Sequence, residues 1–205
     1  MAKLATTGYT ADTSKHYWID AGVIYTDVTY TEATGFEGNP AGATSDGVEL
    51  NIEMKYRDVE VDGTGWTPVK GNKVLSSAIA TAKANIKELT AETVRQALNG
   101  AKEAAKTTEA PEGYTKITGK RQISDGDYLK NVAIVGKISG STQPIIVILD
   151  NALVTSGVSA KTKDDDEVVI EQEYTAHASY EQLVAQEFPW RIYLPPVDID
   201  TVETD

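Results

Sequence analysis

Two histidines are the side chains of this sequence best suited to proton transfer or metal binding, and they stand far apart. They are His16 and His177, and cysteine is absent from the 205 residues. A structural zinc site of cysteine and histidine ligands is therefore excluded, and a two-histidine site would need a long-range pairing. We interpret both as ordinary structural or surface histidines.

The sequence lacks the residues that motifs for nucleophilic catalysis and phosphate binding require. Gly42 and Gly47 have the spacing of a P-loop, but Val48 and Glu49 follow where lysine and a hydroxyl residue are required. The nucleophile elbow G-x-S-x-G does not occur in the sequence. The sequence therefore predicts neither a phosphate cradle nor a serine nucleophile.

Acidic clusters resemble ligand sets only superficially. Residues 164–167 are consecutive carboxylates, whereas a calcium-binding EF-hand loop alternates its ligands and contains a glycine. The paired aspartates at 125 and 127 and at 198 and 200 receive the same interpretation as solvated turns. With 31 acidic residues, any two carboxylates can be nominated as a glycosidase pair, so the nomination carries no information. We predict no catalytic residues, no cofactor and no metal.

Composition restricts the partners. The chain has 31 acidic and 19 basic residues, a formal net charge of -12, which disfavours stable binding to a phosphate backbone. The longest purely apolar run, residues 145–149, is far shorter than the roughly 20 residues of a membrane-spanning helix. The first residues lack the apolar segment of a secretory signal. We expect a chain that contacts no membrane and does not bind nucleic acid stably.

The clearest structural pattern is a strand of period two in residues 48–57. Val48, Leu50, Ile52, Met54 and Tyr56 alternate with polar residues, which predicts one packed face and one face toward water or a partner. Residues 56–70 follow as a hairpin or loop, with a turn at Asp-Gly and Trp66 near the tip. Residues 32–47, rich in glycine, predict a long loop.

Further along, the pattern favours more strands and one helix. Residues 90–99 predict a short amphipathic helix with Thr90 as N-cap and Gly100 just after its end. Residues 101–113 read as a loop, and residues 145–149, lacking a polar face, predict a strand covered on both sides. Residues 73–89 fit a helix and a strand equally well. The other strand candidates are residues 17–25, 114–120, 128–138, 144–149, 167–175 and 190–194.

Taken in order, several segments resemble the major tail proteins, the tail tube subunits of siphophages. They are DAGVIY at 20–25, GNPAGAT at 38–44, VELNIEMKY at 48–56, RDVEVDG at 57–63, VKG at 69–71, IKELTAET at 86–93 before Ala97 and Leu98, and FPWRIY at 188–193. The resemblance favours a long strand for residues 73–89. It implies a mainly β fold, a β-sandwich or barrel of the tail tube type with one short external helix.

The same resemblance implies a function and a set of contacts. The chain would be a single domain, residues 1–205, with an N-terminal arm at about 1–15 and a C-terminal arm at 196–205. Six copies would close into rings, and the rings would stack into the tail tube of a non-contractile phage, a conduit for DNA ejection. Contacts between copies are expected at Asn39, Pro40, Thr44, Asp58, Asp62, Gly63, Trp66, Val197, Asp198 and Ile199.

Partners and location follow from the same resemblance. The expected partners are other copies of the chain and the tape-measure, tail-terminator and baseplate or tail-tip proteins. Assembly would take place in the cytoplasm of a bacterial host, and the product would be the virion tail. Two alternatives stay open: a tube subunit of a contractile tail, bacteriocin or secretion system, and a glycan- or peptide-binding module or hydrolase that uses acidic residues with Trp18, Trp66 and Trp190.

Overall fold

Antiparallel strands dominate the computed structural model, which describes residues 7–160, 164 and 167–197. The strands are β1 (Trp18–Thr31), β2 (Gly35–Pro40), β3 (Thr44–Asp58), β4 (Lys73–Ile86), β5 (Ala101–Ala104), β6 (Thr115–Thr118), β7 (Leu129–Ile138), β8 (Pro144–Val154), β9 (Ile170–Thr175) and β10 (Trp190–Tyr193). The α-helices are α1 (Ala91–Leu98) and α2 (Tyr180–Ala185). The predicted mainly β fold class is confirmed.

The main sheet has the strand order β2-β1-β7-β8-β9-β4-β3, and β10 also pairs with β8. β8 belongs to both halves of this sheet, because Ile146 to Leu149 pair with β7 and β10 whereas Leu153 and Val154 pair with β9. β5 and β6 form a separate two-stranded sheet. β8 is therefore the strand at which the fold turns from one sheet layer to the other.

The two ends of the main sheet approach each other through β2 and β3. Ala41 donates its N–H to the Ile24 carbonyl at 2.9 Å, and Lys87 donates to the Ala43 carbonyl at 2.8 Å. The segment between β2 and β3 thus changes its hydrogen-bonding partner from β1, at Ala41, to the end of β4, at Ala43. A Cβ on Gly47 would lie 3.4 Å from the Ala21 carbonyl oxygen, so β3 passes close beside β1. The layers close into a barrel-like sandwich.

β8 confirms the prediction that residues 145–149 are covered on both sides. All five are buried, and four of them alternate between two clusters. Val147 and Leu149 point into the interior with Tyr174. Ile146 and Ile148 point the other way and pack with Val28 of the β1–β2 hairpin. A strand without a polar face is stable here because apolar groups cover both faces.

β4 resolves the ambiguous segment in favour of a strand. Ala80, Ala82, Ala84 and Ile86 all point into the core, as expected for alternate residues of one strand. They lie beside β3, with Leu50 opposite Ala82 and Ile52 opposite Ala80. The helical spacing in this segment has no structural counterpart because pairing with β3 and β9 determines the conformation.

α1 covers the predicted segment 90–99, but its left-handed residue differs from the one expected. Thr90 Oγ1 accepts a hydrogen bond from the Thr93 N–H at 3.1 Å, and Thr93 Oγ1 accepts one from the Thr90 N–H at 2.9 Å. Asn99, with φ 47°, occupies the left-handed position at the C-terminus, so the assignment of that role to Gly100 is wrong. Gly100 is instead small because a Cβ there would lie 2.7 Å from the Thr118 carbonyl oxygen.

Three further predictions need correction. Residues 32–47 are not a long loop: they contain β2 and the start of β3, which pair with β1 and β4. Residues 101–113 are not wholly a loop, because β5 occupies the first four. α2 was not predicted. β2 and β5 form by main-chain pairing, and their apolar periodicity is too short to detect.

The ionisation of Asp127 makes the free energy of unfolding depend on pH in the acid range. Its buried carboxylate accepts hydrogen bonds from Lys120 Nζ, from the Ser124 N–H at 2.8 Å and from Ser124 Oγ at 2.9 Å. The Lys120 hydrogen bond, above all, lowers the pKa of Asp127 from 3.8 to about 2. A depressed pKa means that the folded state gains stability from the carboxylate above about pH 4.

We expect this contribution to disappear as the pH falls from about 4 to about 2, because protonation removes the charge that Lys120 and Ser124 bind. Asp127→Asn should lower the free energy of unfolding at pH 7 and flatten its decline over this interval. Urea denaturation at a series of pH values measures both. Equal slopes for the wild type and the variant would contradict the assignment.

Candidate assembly interface

The hairpin of β3 and β4 extends beyond the rest of the sheet. β9 pairs with β4 only as far as Thr81, and the Ala176 N–H then bonds to the Ala80 carbonyl at 3.0 Å. Beyond that point, β3 and β4 pair only with each other among the described residues. We call residues 52–58 and 73–79, with the connecting loop 59–72, the assembly arm.

Both edges of the assembly arm carry unpaired backbone groups in the described part of the chain. Ala80 directs its carbonyl toward β9 and away from β3, and Ala78, two residues earlier, has the same direction. Opposite them on β3, Ile52 and Met54 direct their backbone groups away from β4. Exposed strand edges of this kind are templates for pairing with another chain.

One face of the arm continues the apolar face of the core into solvent. Leu50 and Ile52 of β3 pack against the core. On the same face, Met54 and Tyr56 are 41% and 54% exposed, beside the Ala78 and Leu75 positions of β4. An apolar strip that extends beyond the core and stays exposed to solvent marks an interaction surface.

The loop 59–72 connects β3 to β4 and contains Trp66. The Val59 N–H bonds to the Asn72 carbonyl at 2.7 Å, which closes the base of the loop. Trp66 is 86% exposed, and Val61 and Val69 are exposed with it. Asp58 at the end of β3 forms an exposed ion pair with Lys73 at 3.6 Å. The loop surrounds an open concavity formed by residues 58–69 and 72.

The face of β3, β4 and β9 opposite the core is polar and predominantly acidic. Its carboxylates are Glu49, Glu53, Glu171 and Glu173, and its cationic groups are Lys55, Arg57 and Lys83. Lys83 forms an ion pair with Glu173 at 3.1 Å, and this hydrogen bond raises the pKa of Lys83. A surface with more carboxylates than cations repels phosphate groups.

The structure distributes the predicted contact residues over separate regions. Asp58, Asp62, Gly63 and Trp66 lie on the assembly arm. Asn39 and Pro40 end β2, opposite Thr26 and Tyr25, and Thr44 begins β3 opposite Ile86. Val197 lies against the turn between β7 and β8, where a Cβ on Gly140 would be 2.8 Å from Val197 Cγ1. Asp198 and Ile199 lie outside the described residues.

Two surfaces were missed by sequence reasoning. The free edge of β4 has no sequence signature, because it depends on where β9 stops. α2 does have one: Ser179 and Gln182 form a capping box, with the Ser179 Oγ accepting from the Gln182 N–H at 3.2 Å. The apolar residues that follow Ser179 would have indicated a short helix.

The candidate chemical residues do not converge. His16 is exposed near the N-terminal side of β1, whereas His177 Nδ1 lies 2.9 Å from the Thr175 carbonyl oxygen and its ring meets Tyr128 edge-on. Within the described ranges, no group of three acidic, histidine or cysteine side chains has the geometry to hold a metal ion. Of the acidic run, residues 165 and 166 lie outside those ranges.

No helix in the described part of the chain is long and apolar enough to cross a membrane.

No protein-family model matches the sequence, and no curated protein matches it. Among solved structures, a chain of the virion of a native gene transfer agent particle is similar, with a TM-score of 0.39, 12% identity, and coverage of 78% of this chain and 92% of that chain. A chain of the tail of an empty gene transfer agent particle, refined with C6 symmetry, has a TM-score of 0.41, 13% identity and the same coverage.

Proposed function

We propose that this chain is a structural subunit that assembles head-to-tail into rings, and that the rings stack into the tail tube of a phage or phage-like particle. The observation that supports this most strongly is the assembly arm with two free edges. The edge at Ala78 of one copy pairs with the edge at Met54 of the next. Each copy then uses one edge as donor and the other as acceptor.

Such a contact is heterologous, so repetition closes a ring when the rotation between copies divides a full turn. The segments that resemble siphophage major tail proteins imply six copies. Closure pairs both edges of the arm and covers its apolar face at Met54 and Tyr56. One continuous sheet then runs around the ring.

The acidic face of β3, β4 and β9 lines the channel in this arrangement. The four carboxylates of each copy outnumber its three cationic groups, so the wall is net negative, and the net charge of -12 has the same sign. DNA therefore passes without binding. The chain acts as one tube-forming domain, with residues 1–15 and 196–205 as arms between copies, and the tube is non-contractile.

The remaining partners are the proteins at the two ends and in the channel of such a tube: a tape-measure protein, a tail terminator and a baseplate or tail-tip protein. The subunit carries out no catalysis, and its product is the tail of the virion, assembled in the bacterial cytoplasm. These assignments rest on the assembly arm and on the series of segments that resemble siphophage major tail proteins.

Electron microscopy of the purified protein, alone and mixed with its tail proteins, tests the proposal. We expect rings with a central opening and, at high concentration, stacked tubes. Sedimentation velocity gives the mass of the smallest closed species. A protein that stays monomeric under every condition, including in the presence of the tail proteins, would contradict the assembly role.

A further inference from the structure

The core-facing side of β10 continues past the point where the core ends. Trp190 lies opposite Leu149 and Ile192 lies opposite Val147, and both partners on β8 belong to the core. Trp190 packs against that core, and alternation along the strand directs Ile192 to the same side. Ile192 is nevertheless 48% exposed. A core-facing residue of this sheet therefore meets solvent.

β10 also has a free edge in the described part of the chain. The Asp150 N–H bonds to the Pro189 carbonyl at 2.8 Å, so every second residue from Pro189 directs its backbone toward β8, and Trp190 and Ile192 direct theirs away. The Phe188 ring stacks on Trp190, with the ring centroids 4.5 Å apart. The exposed apolar residues at this edge form what we call the β10 surface: Phe188, Ile192 and Leu194.

The β10 surface lies beside the free edge of β4. β9 runs between β8 and β4, since Thr175 pairs with Leu153 on one side and with Thr81 on the other. Beyond Thr175, β10 takes the place of β9 along β8. The corresponding place along β4, beside Ala78, holds no strand among the described residues. A strand that pairs with β4 at Ala78 therefore comes to lie next to β10.

The proposed ring puts β3 of the neighbouring copy in that place. Every copy turns its acidic face to the channel, so the apolar face of the neighbour's β3 is directed away from the channel, toward the β10 surface. Met54 and Tyr56 are exposed on this face, and the Tyr56 hydroxyl lies 3.9 Å from Met54 Sδ. From Val48 to Tyr56 the face carries no charged side chain, so no like charge opposes the contact.

We propose that the β10 surface is the docking site for the apolar face of β3 of a second copy of this chain. Met54 and Tyr56 of the neighbouring copy pack on Ile192 and Phe188. This inference rests on the proposed function and adds to it the side-chain contact that accompanies edge pairing. Apolar groups exposed on both surfaces of the monomer are then buried together, which favours the ring over the free subunit.

The absence of cysteine allows a direct test. Met54→Cys and Ile192→Cys are purified separately, mixed under assembly conditions and oxidised. We expect a disulfide-linked dimer from this mixture. The matched control replaces Met54→Cys with Lys55→Cys, the next residue along β3, whose side chain points to the opposite face, and we expect at least tenfold less dimer.

The outcomes of this test separate the docking site from the ring. Equal yields from the two mixtures, or no dimer from either, would overturn the docking site whether or not rings form. Rings without the preferential cross-link would leave edge pairing intact. Wild-type protein that never forms a closed species in sedimentation velocity would contradict the proposed function instead.

A substitution on β10 measures the contribution of the contact to assembly. We expect Ile192→Asp to raise the concentration needed for ring formation at least tenfold, because a carboxylate replaces an apolar contact at every interface. Leu183→Asp is the control, since Leu183 is an exposed apolar residue of α2 outside the β10 surface, and we expect it to assemble as the wild type does. Urea denaturation checks that both variants are folded. Unchanged assembly of Ile192→Asp, or equal weakening by both variants, would overturn the assignment.

Discussion

Ala78→Pro is expected to leave the subunit folded and to prevent ring formation. Proline removes the backbone N–H of residue 78, which points to the free edge of β4, whereas the hydrogen bonds between β3 and β4 use the alternate residues. Proline is tolerated on an edge strand when its missing N–H faces solvent. In the ring that N–H faces the neighbouring copy, so the variant lacks one hydrogen bond at every interface.

The expected size of the effect on assembly follows from the loss of one hydrogen bond between strands and from the proline ring at the contact. A hydrogen bond contributes about 1 kcal/mol net, and about 1.4 kcal/mol corresponds to tenfold in an equilibrium constant. Since every interface of a ring is affected, we expect the concentration needed for assembly to rise at least tenfold. Sedimentation velocity across a concentration series measures it.

Ala78→Val is the matched control, because valine has a size close to that of proline and keeps the N–H. We expect this variant to assemble. Ser77→Pro is the opposite control: residue 77 lies opposite Lys55 and directs its backbone toward β3, so proline there should destabilise the hairpin itself. Normal rings from Ala78→Pro would show that this edge is not the interface.

Asp150→Ala is expected to give the second large effect, on the free energy of unfolding. Asp150 is the group that joins β8, β10 and α2: it accepts two hydrogen bonds from Arg191 and one from Gln182. Its side chain is almost buried, whereas that of Arg191 is 45% exposed. Breaking a fully buried pair costs about 3–5 kcal/mol, and solvent access to Arg191 reduces this to about 2 kcal/mol.

Urea denaturation measures that loss, and hydrogen exchange shows where it acts. We expect the amides of α2 and β10 to exchange faster in Asp150→Ala while those of β7 stay protected, because only the former depend on this carboxylate. Glu53→Ala is the control, since its pairing with Lys55 at 3.3 Å is exposed and worth little. Equal destabilisation by the two variants would contradict the role assigned to Asp150.

Residue patterns predict the elements whose burial alternates strongly. β3 was visible because Val48 to Tyr56 alternate, and β8 because its run has no polar face. β2 was missed because Gly35, Gly38 and Pro40 resemble loop residues, yet its pairing with β1 requires only backbone groups. A strand such as β2, with few side chains that alternate in burial, is not predictable from their pattern.

The assembly surfaces were only partly predictable. Trp66 and the Asp-Gly turn indicated an exposed hairpin, and the structure places them there. The free edge of β4 depends on β9 ending at Thr175, far along the sequence, and that of β3 depends on its place as the last strand of the sheet. The orientation of α2 was not predictable because its apolar spacing also fits a buried helix, and only the Gln182 contact with Asp150 shows which side faces inward.

Cryo-electron microscopy of the closed species tests edge pairing most directly. The account predicts one continuous sheet around the ring, with residues 73–79 of β4 hydrogen-bonded to residues 50–58 of β3 in the next copy and the acidic face toward the channel. Rings in which these two edges remain apart, or in which Glu49 and Glu171 face outward, would contradict it.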